Sequence, residues 1–348
     1  MYKNLAAALA AACFFAPAFS QTPADLAHIA RHDTDLFARW QALTDLALPD
    51  LIKATQDVRN GASVQCNPDL IATLLEIVGD DALEPAFRAQ VLGLPSEADI
   101  AREIGKDNDP DAIHTARNSI LTAIAKAGAE TFATLFAQLE GAKEFAPDAD
   151  SAGKRALRNI ALMYLAFAEN TPDCAAAAFA SATNMTDLAY ALSVLTQRFP
   201  QAPQTTEALA SFEARFAQNA LVMDKWFAIQ ATIPNEGALD RIKALMSSKH
   251  FTPSNPNRVR SLIGTLAFAN PTGFNRADGE AYRFLAAQII EIDKRNPQLA
   301  ARILTSMRSW RSLEPVRAEH ARAALASIER AQPLSTDVRD IVERILKS

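Results

Sequence analysis

Side chains that can hold a metal, move a proton or attack a carbonyl are scarce in this sequence. It has five histidines, His28, His32, His114, His250 and His320, and of these only His28 and His32 share a helical face, four residues apart. Zinc peptidases use that spacing: two imidazoles on one helical turn hold the metal, and a glutamate directly after the first acts as general base. Position 29 is Ile, so the acid that would activate a zinc-bound water is missing. The preferred reading is two solvated or capping histidines beside Asp33 and Asp35. The sequence also lacks a Gly-x-Ser-x-Gly nucleophile elbow, a phosphate loop ending in Gly-Lys-Ser or Gly-Lys-Thr, and a Gly-x-Gly-x-x-Gly run.

Beyond the first 20 residues the cysteines are Cys66 and Cys174, neither in a Cys-x-x-Cys pair, so no metal or redox motif is indicated. Two buried free thiols are expected, with one disulfide as the alternative in an oxidising compartment. What remains is a set of polar residues near helix starts in the last hundred positions. Arg258 and Arg260 follow Asn255-Pro256, while Gln298 and Arg302 follow Asn296-Pro297 one turn apart. Gln and Arg side by side on a helix can read a peptide backbone or a carboxylate, because the guanidinium is a planar fork of donors. Taken alone, the same residues also suit an ordinary solvated helix surface.

The elements that must position these residues are helical. In 348 residues, 49% are apolar, 22% are charged and only 11 are glycine, too few turn formers for a many-stranded β fold. Leu36, Trp40, Leu43 and Ala47 recur at steps of four, three and four, and Val338, Ile341, Val342 and Ile345 form a second stripe behind Ser335 as cap. Asn67-Pro68, Asp109-Pro110, Asn255-Pro256, Asn270-Pro271 and Asn296-Pro297 each put a capping side chain before a proline, as Thr171-Pro172 does before an alanine run. Asn184 reads as a further cap, and Trp40, Trp226 and Trp310 as packing residues. The expected fold is all-α, an irregular superhelix of about sixteen short helices stacked as pairs. Phe145 to Gly153 and Phe199 to Thr205 are the weak points within one continuous domain, residues 21–348.

A formal charge of -5 excludes the basic footprint of a nucleic-acid binder. Past the N-terminus no stretch reaches the roughly 20 apolar residues of a membrane span. Residues 1–20 read as an export leader: Lys3, an apolar run from Leu5 to Phe15, and small Ala18 and Ser20 framing a cut before Gln21.

The ordered stretches Asn184-Met185-Thr186-Asp187, Leu221 to Thr232 and Ser254 to Gly264 resemble the C-terminal helical domain of bacterial aminopeptidase N, the alanyl aminopeptidase family. Asp278-Gly279 with Tyr282 to Leu285, and Asn296 to Arg302, add to the match. Upstream, His32 to Asp35, Arg39 to Ala42, Leu94 to Glu97 and Arg155 to Asn159 extend it to roughly residue 25 onward. The resemblance implies a superhelical bowl over a zinc peptidase domain, closing a chamber in which N-terminal residues are removed from peptides. It implies that Gln298 lines the pocket for the substrate's first side chain and that Arg260 and Arg302 face the chamber, while Arg258 is structural. The family's zinc helix, His-Glu-x-x-His, and its substrate-amine motif, Gly-x-Met-Glu-Asn, are both absent here. The expectation is therefore an accessory domain with no catalytic residue and no cofactor of its own, zinc belonging to a catalytic partner domain or chain, with peptides as substrates. An independent helical scaffold that binds peptides or proteins is the alternative. The leader implies a periplasmic or exported protein; relatives of this family are cytoplasmic. Phe15-Ala16-Pro17-Ala18 also resembles the end of the family's β domain, so a truncated gene stays open.

Overall fold

The computed structural model describes residues 21–139, 145–234 and 237–347, and among them all regular structure is helical apart from one isolated bridge, Asn108 to Leu313. The leader read over residues 1–20 lies outside the described residues. No single helix among the described residues is long and apolar enough to cross a membrane.

The chain builds three hydrophobic cores in series. The first, from Leu26 to Phe167, is made by α1 (Pro23–His32), α2 (Leu36–Arg59), α3 (Pro68–Gly79), α4 (Pro85–Val91), α5 (Glu97–Ile104), α6 (Pro110–Ala127), α7 (Ala129–Gln138) and α8 (Ala149–Glu169). The second, from Leu162 to Leu266, adds α9 (Asp173–Ser181), α10 (Met185–Arg198), α11 (Pro203–Phe216), α12 (Ala220–Ala231) and α13 (Ala238–Met246). The third, from Val259 to Ile345, holds α14 (Pro256–Val259), α15 (Thr265–Ala269), α16 (Pro271–Phe274), α17 (Glu280–Asp293), α18 (Pro297–Leu304), α19 (Pro315–Glu329) and α20 (Thr336–Lys347). Much of the packing joins helices adjacent in sequence, α1 on α2, α7 on α8, α9 on α10 and α17 on α18, the signature of stacked pairs.

Two elements serve two cores each. Helix α8 gives Leu157 and Tyr164 to the first core and Leu162 and Ala166 to the second. The rod α14, a π-helical segment Arg260–Gly264 and α15 gives Leu262 and Leu266 to the second and Val259, Ile263 and Ala267 to the third. A helix that serves two cores must be apolar on two faces.

The capping pairs do what their chemistry predicts. Asn67, Asp109, Asn255, Asn270 and Asn296 each accept a backbone N–H of the first turn, with proline directly after. Asn184 and Ser335 cap α10 and α20 in the same way; such a cap stabilises by about 1 kcal/mol. Thr171-Pro172 departs from the pattern: Pro172 itself occupies the cap position of α9, and no side chain accepts there. The first stripe also frays, with Leu43 and Ala47 buried but Leu36 at 38% exposure. The weak point ending at Gly153 holds a close crossing, because a Cβ there would lie 3.0 Å from the Ala86 nitrogen of α4. Phe199 to Thr205 carries the turn from α10 into α11, where the Thr205 hydroxyl donates to the Phe199 carbonyl at 2.7 Å.

The three cores close into a ring. The Asn108 N–H donates to the Ser312 carbonyl at 2.8 Å, and the Glu314 N–H to the Asn108 carbonyl at 2.9 Å, so the first and third cores meet.

Candidate functional site

Gln298 and Arg302 sit on α18, which starts because Asn296 accepts the Leu299 N–H at 3.0 Å and Pro297 fills the first turn. Leu299, Ala300, Ile303 and Leu304 are buried in the third core, so the i, i+4 pair Gln298 and Arg302 is turned to solvent. Neither side chain has a hydrogen-bond or ion-pair partner among the described residues.

Arg260 begins the π segment. About 100° separates successive helical residues, so positions 258 and 260 point to nearly opposite sides of the rod. Arg258 is buried, paired to Asp224 at 2.7 Å and placed 4.9 Å over the Phe227 ring. Arg260 is exposed, and its guanidinium donates to Asn257 Oδ1 at 2.8 Å. The rod and α18 share a core; a Cβ at Gly264 would lie 3.9 Å from the Arg260 Cβ and 4.0 Å from Ile303 Cγ1. Arg260 and the Gln298, Arg302 pair therefore belong to neighbouring rods, and no hydrogen bond or ion pair joins them. The widened π turn was not legible in the sequence; such turns often occur at functional sites.

An exposed amide and two exposed guanidiniums with no carboxylate partner can bind a carboxylate or peptide carbonyls, through charge-assisted and bidentate hydrogen bonds. They supply no nucleophile and no general base. His28 and His32 stand with ring centroids 4.8 Å apart on the exposed face of α1. No group of three or more His, Cys, Asp or Glu side chains poised to hold a metal occurs among the described residues. Cys66 and Cys174 are free thiols, and burial pushes them up to about 11 and about 12. The tryptophans pack: Trp226 donates to the Leu209 carbonyl and Trp310 to the Ile345 carbonyl, each at 3.1 Å.

Two polar constellations escaped the sequence because each joins side chains of different helices. His114 Nδ1 meets Glu97 Oε1 at 2.7 Å while Nε2 meets the Asn118 amide at 2.9 Å, which fixes the ring between α5 and α6. The second is Arg258 with Asp224. The capping role of Asp109 was visible; its place beside Arg317 was not.

A model of a domain of unknown function described as DUF3458_C ARM repeats matches residues 23–347. The chain is 35% identical over 326 residues to the aminopeptidase N of Caulobacter vibrioides, covering 93% of this chain and 37% of that protein. It is 31% identical over 323 residues to the aminopeptidase N of Escherichia coli, covering 92% of this chain and again 37% of that protein. The crystal structure of Legionella pneumophila aminopeptidase A in complex with aspartic acid superposes with a TM-score of 0.82 and 26% identity, covering 94% of this chain and 38% of that one. The chain thus spans little more than a third of each of these relatives. It belongs to the DUF3458_C family of ARM-repeat domains, the C-terminal helical domain of aminopeptidases N.

Proposed function

We propose that this domain forms the non-catalytic wall of an aminopeptidase chamber, holding peptides near a zinc centre that a catalytic domain or chain supplies. The observation that carries this is the match to aminopeptidases N over nearly all of this chain and little more than a third of theirs. The sequence adds to it, because the zinc-binding helix and the substrate-amine strand of the family are missing. In this reading Gln298 contacts the first side chain of the peptide, and Arg260 and Arg302 attract its carbonyls or its carboxylate. A fork of donors on a rigid helix suits that task better than a flexible ammonium.

The test is peptide binding by the chain and its R260A/R302A variant, measured by calorimetry with a tripeptide and its C-terminal amide. Both arginines are exposed, so the variant is expected to fold. Losing two charge-assisted contacts should weaken binding of the free carboxylate by roughly tenfold or more. Equal binding by both proteins would exclude Arg260 and Arg302 from the peptide face.

A further inference from the structure

Among the described residues the ring of three cores closes at a narrow seam. On one side the loop before α6 is held rigid: Gly105 and Asp107 take left-handed φ of 79° and 58°, and Arg59 bonds the Asp107 carbonyl at 3.0 Å and its carboxylate at 2.8 Å. That loop presents Asn108 to the Ser312–Glu314 turn. Beside the backbone bridge lies Arg317, only 5% exposed. Its Nε donates to the Asn275 carbonyl at 2.5 Å, and its Nη1 reaches Glu314 at 3.1 Å and Asp109 at 3.5 Å. Its Nη2 bonds Asp111 across the seam. The other substantial packing between the first and third cores is α16 against α6. Where an apolar interface would be filled, a cavity of about 570 Å³ opens instead, lined by Ala101, Ile113, Phe268, Phe274 and Leu313 among others, and Phe268 stays 54% exposed.

We propose that this seam is a releasable clasp: the superhelix is a ring held shut by Arg317, one backbone bridge and the short packing of α16 on α6, and it opens there without unfolding its three cores. The physical basis is the contrast between joints. The first and second cores share α8, and the second and third share the rod from Pro256 to Ala269, so parting them would expose apolar helix faces. At the seam, opening returns a guanidinium and part-exposed carboxylates to water, and their hydration offsets much of the lost attraction. Segments with few buried apolar contacts are the ones that open below the global unfolding free energy. The inference is independent of what the chamber binds.

Hydrogen exchange of the full chain reads the clasp directly, because the Asn108 and Glu314 amides make the bridge. R317Q removes the fork. D109N/D111N removes the facing charge while leaving a side chain able to cap α6. In R317Q the Asn108 and Glu314 amides are expected to exchange at least about tenfold faster, with amides of Leu121 and Leu325 in the flanking cores unchanged. If R317Q does not fold, the double variant decides by the same readout. Unchanged seam amides, or acceleration shared equally by Leu121 and Leu325, would overturn the clasp.

Discussion

Arg258 and Asp224 meet at 2.7 Å with their side chains 7% and 17% exposed, so a guanidinium from the start of the third core is neutralised by a carboxylate of the second. This pair buries Arg258 and leaves Arg260, two residues on, as the exposed arginine of the segment. It also ties α12 to the rod that both cores share.

Removing one partner strands the other charge in a dry site. Asp224→Ala should therefore destabilise the chain by about 3–5 kcal/mol. Urea denaturation followed by circular dichroism measures it. A loss below about 1 kcal/mol, the range of exposed pairs, would mean that Arg258 finds water or another acceptor.

Gly279 caps α17 at φ +69°, and a Cβ there would lie 2.6 Å from the His320 Cβ on α19. Left-handed backbone and a clash with a neighbouring helix act together, so Gly279→Ala should cost at least about 1–3 kcal/mol. A thermal midpoint equal to the parent's would show that α19 shifts freely, against the close approach of Gly279 to His320.

Tyr164 is fully buried, stacks on Phe132 with ring centroids 4.6 Å apart and donates its hydroxyl to the Leu92 carbonyl at 2.8 Å. Tyr164→Phe keeps the stack and orphans that carbonyl, at an expected cost of about 1–3 kcal/mol. Tyr164→Ala adds a cavity and should cost about 3–5 kcal/mol. Equal losses in the two variants would assign the whole effect to the hydroxyl's hydrogen bond and leave none for the packing of the ring.

The thiols give a pH dependence. Burial lifts Cys66 to about 11 and Cys174 to about 12, above the ordinary thiol value of 9.0. A folded pKa above the unfolded one means the native state holds its protons longer, so this contribution is complete below 9.0 and is lost as pH rises through about 11 and about 12. Near neutral pH both thiols should alkylate much more slowly in the folded chain than in urea, where the thiolate forms about as easily as in a free peptide. Alkylation at the unfolded rate in native buffer would contradict the half-burial of both thiols.

The helices were legible because their signals are local. An Asn or Asp before proline needs only the next few residues to act, and five such pairs open helices where the sequence placed them. Thr171-Pro172 failed because Pro172 itself takes the αR cap position of α9, at φ -76° and ψ -7°, and leaves Thr171 outside. Pro49 shows the opposite override: it lies inside α2, which continues to Arg59, anchored by buried Leu46, Ala47 and Leu51. Gln298 and Arg302 could be put on one face from spacing alone. The π segment under Arg260 could not, because it depends on how the rod packs between two cores. Arg317 with Asp109 and Asp111 lay beyond reach for the same reason, since the partners stand 208 and 206 residues away. Helix-face patterns say which side is buried, and they are silent on which distant helix covers it.

The proposed role as an accessory wall is tested most directly by turnover of alanine 4-nitroanilide with zinc present, using the purified chain alone, an aminopeptidase N fragment lacking its helical domain, and the two mixed. The chain alone is expected to give no hydrolysis, and adding it to the fragment is expected to raise hydrolysis, a gain that R260A/R302A reduces for peptide substrates. Zinc-dependent hydrolysis by the chain alone, abolished by a chelator and restored by metal, would contradict it.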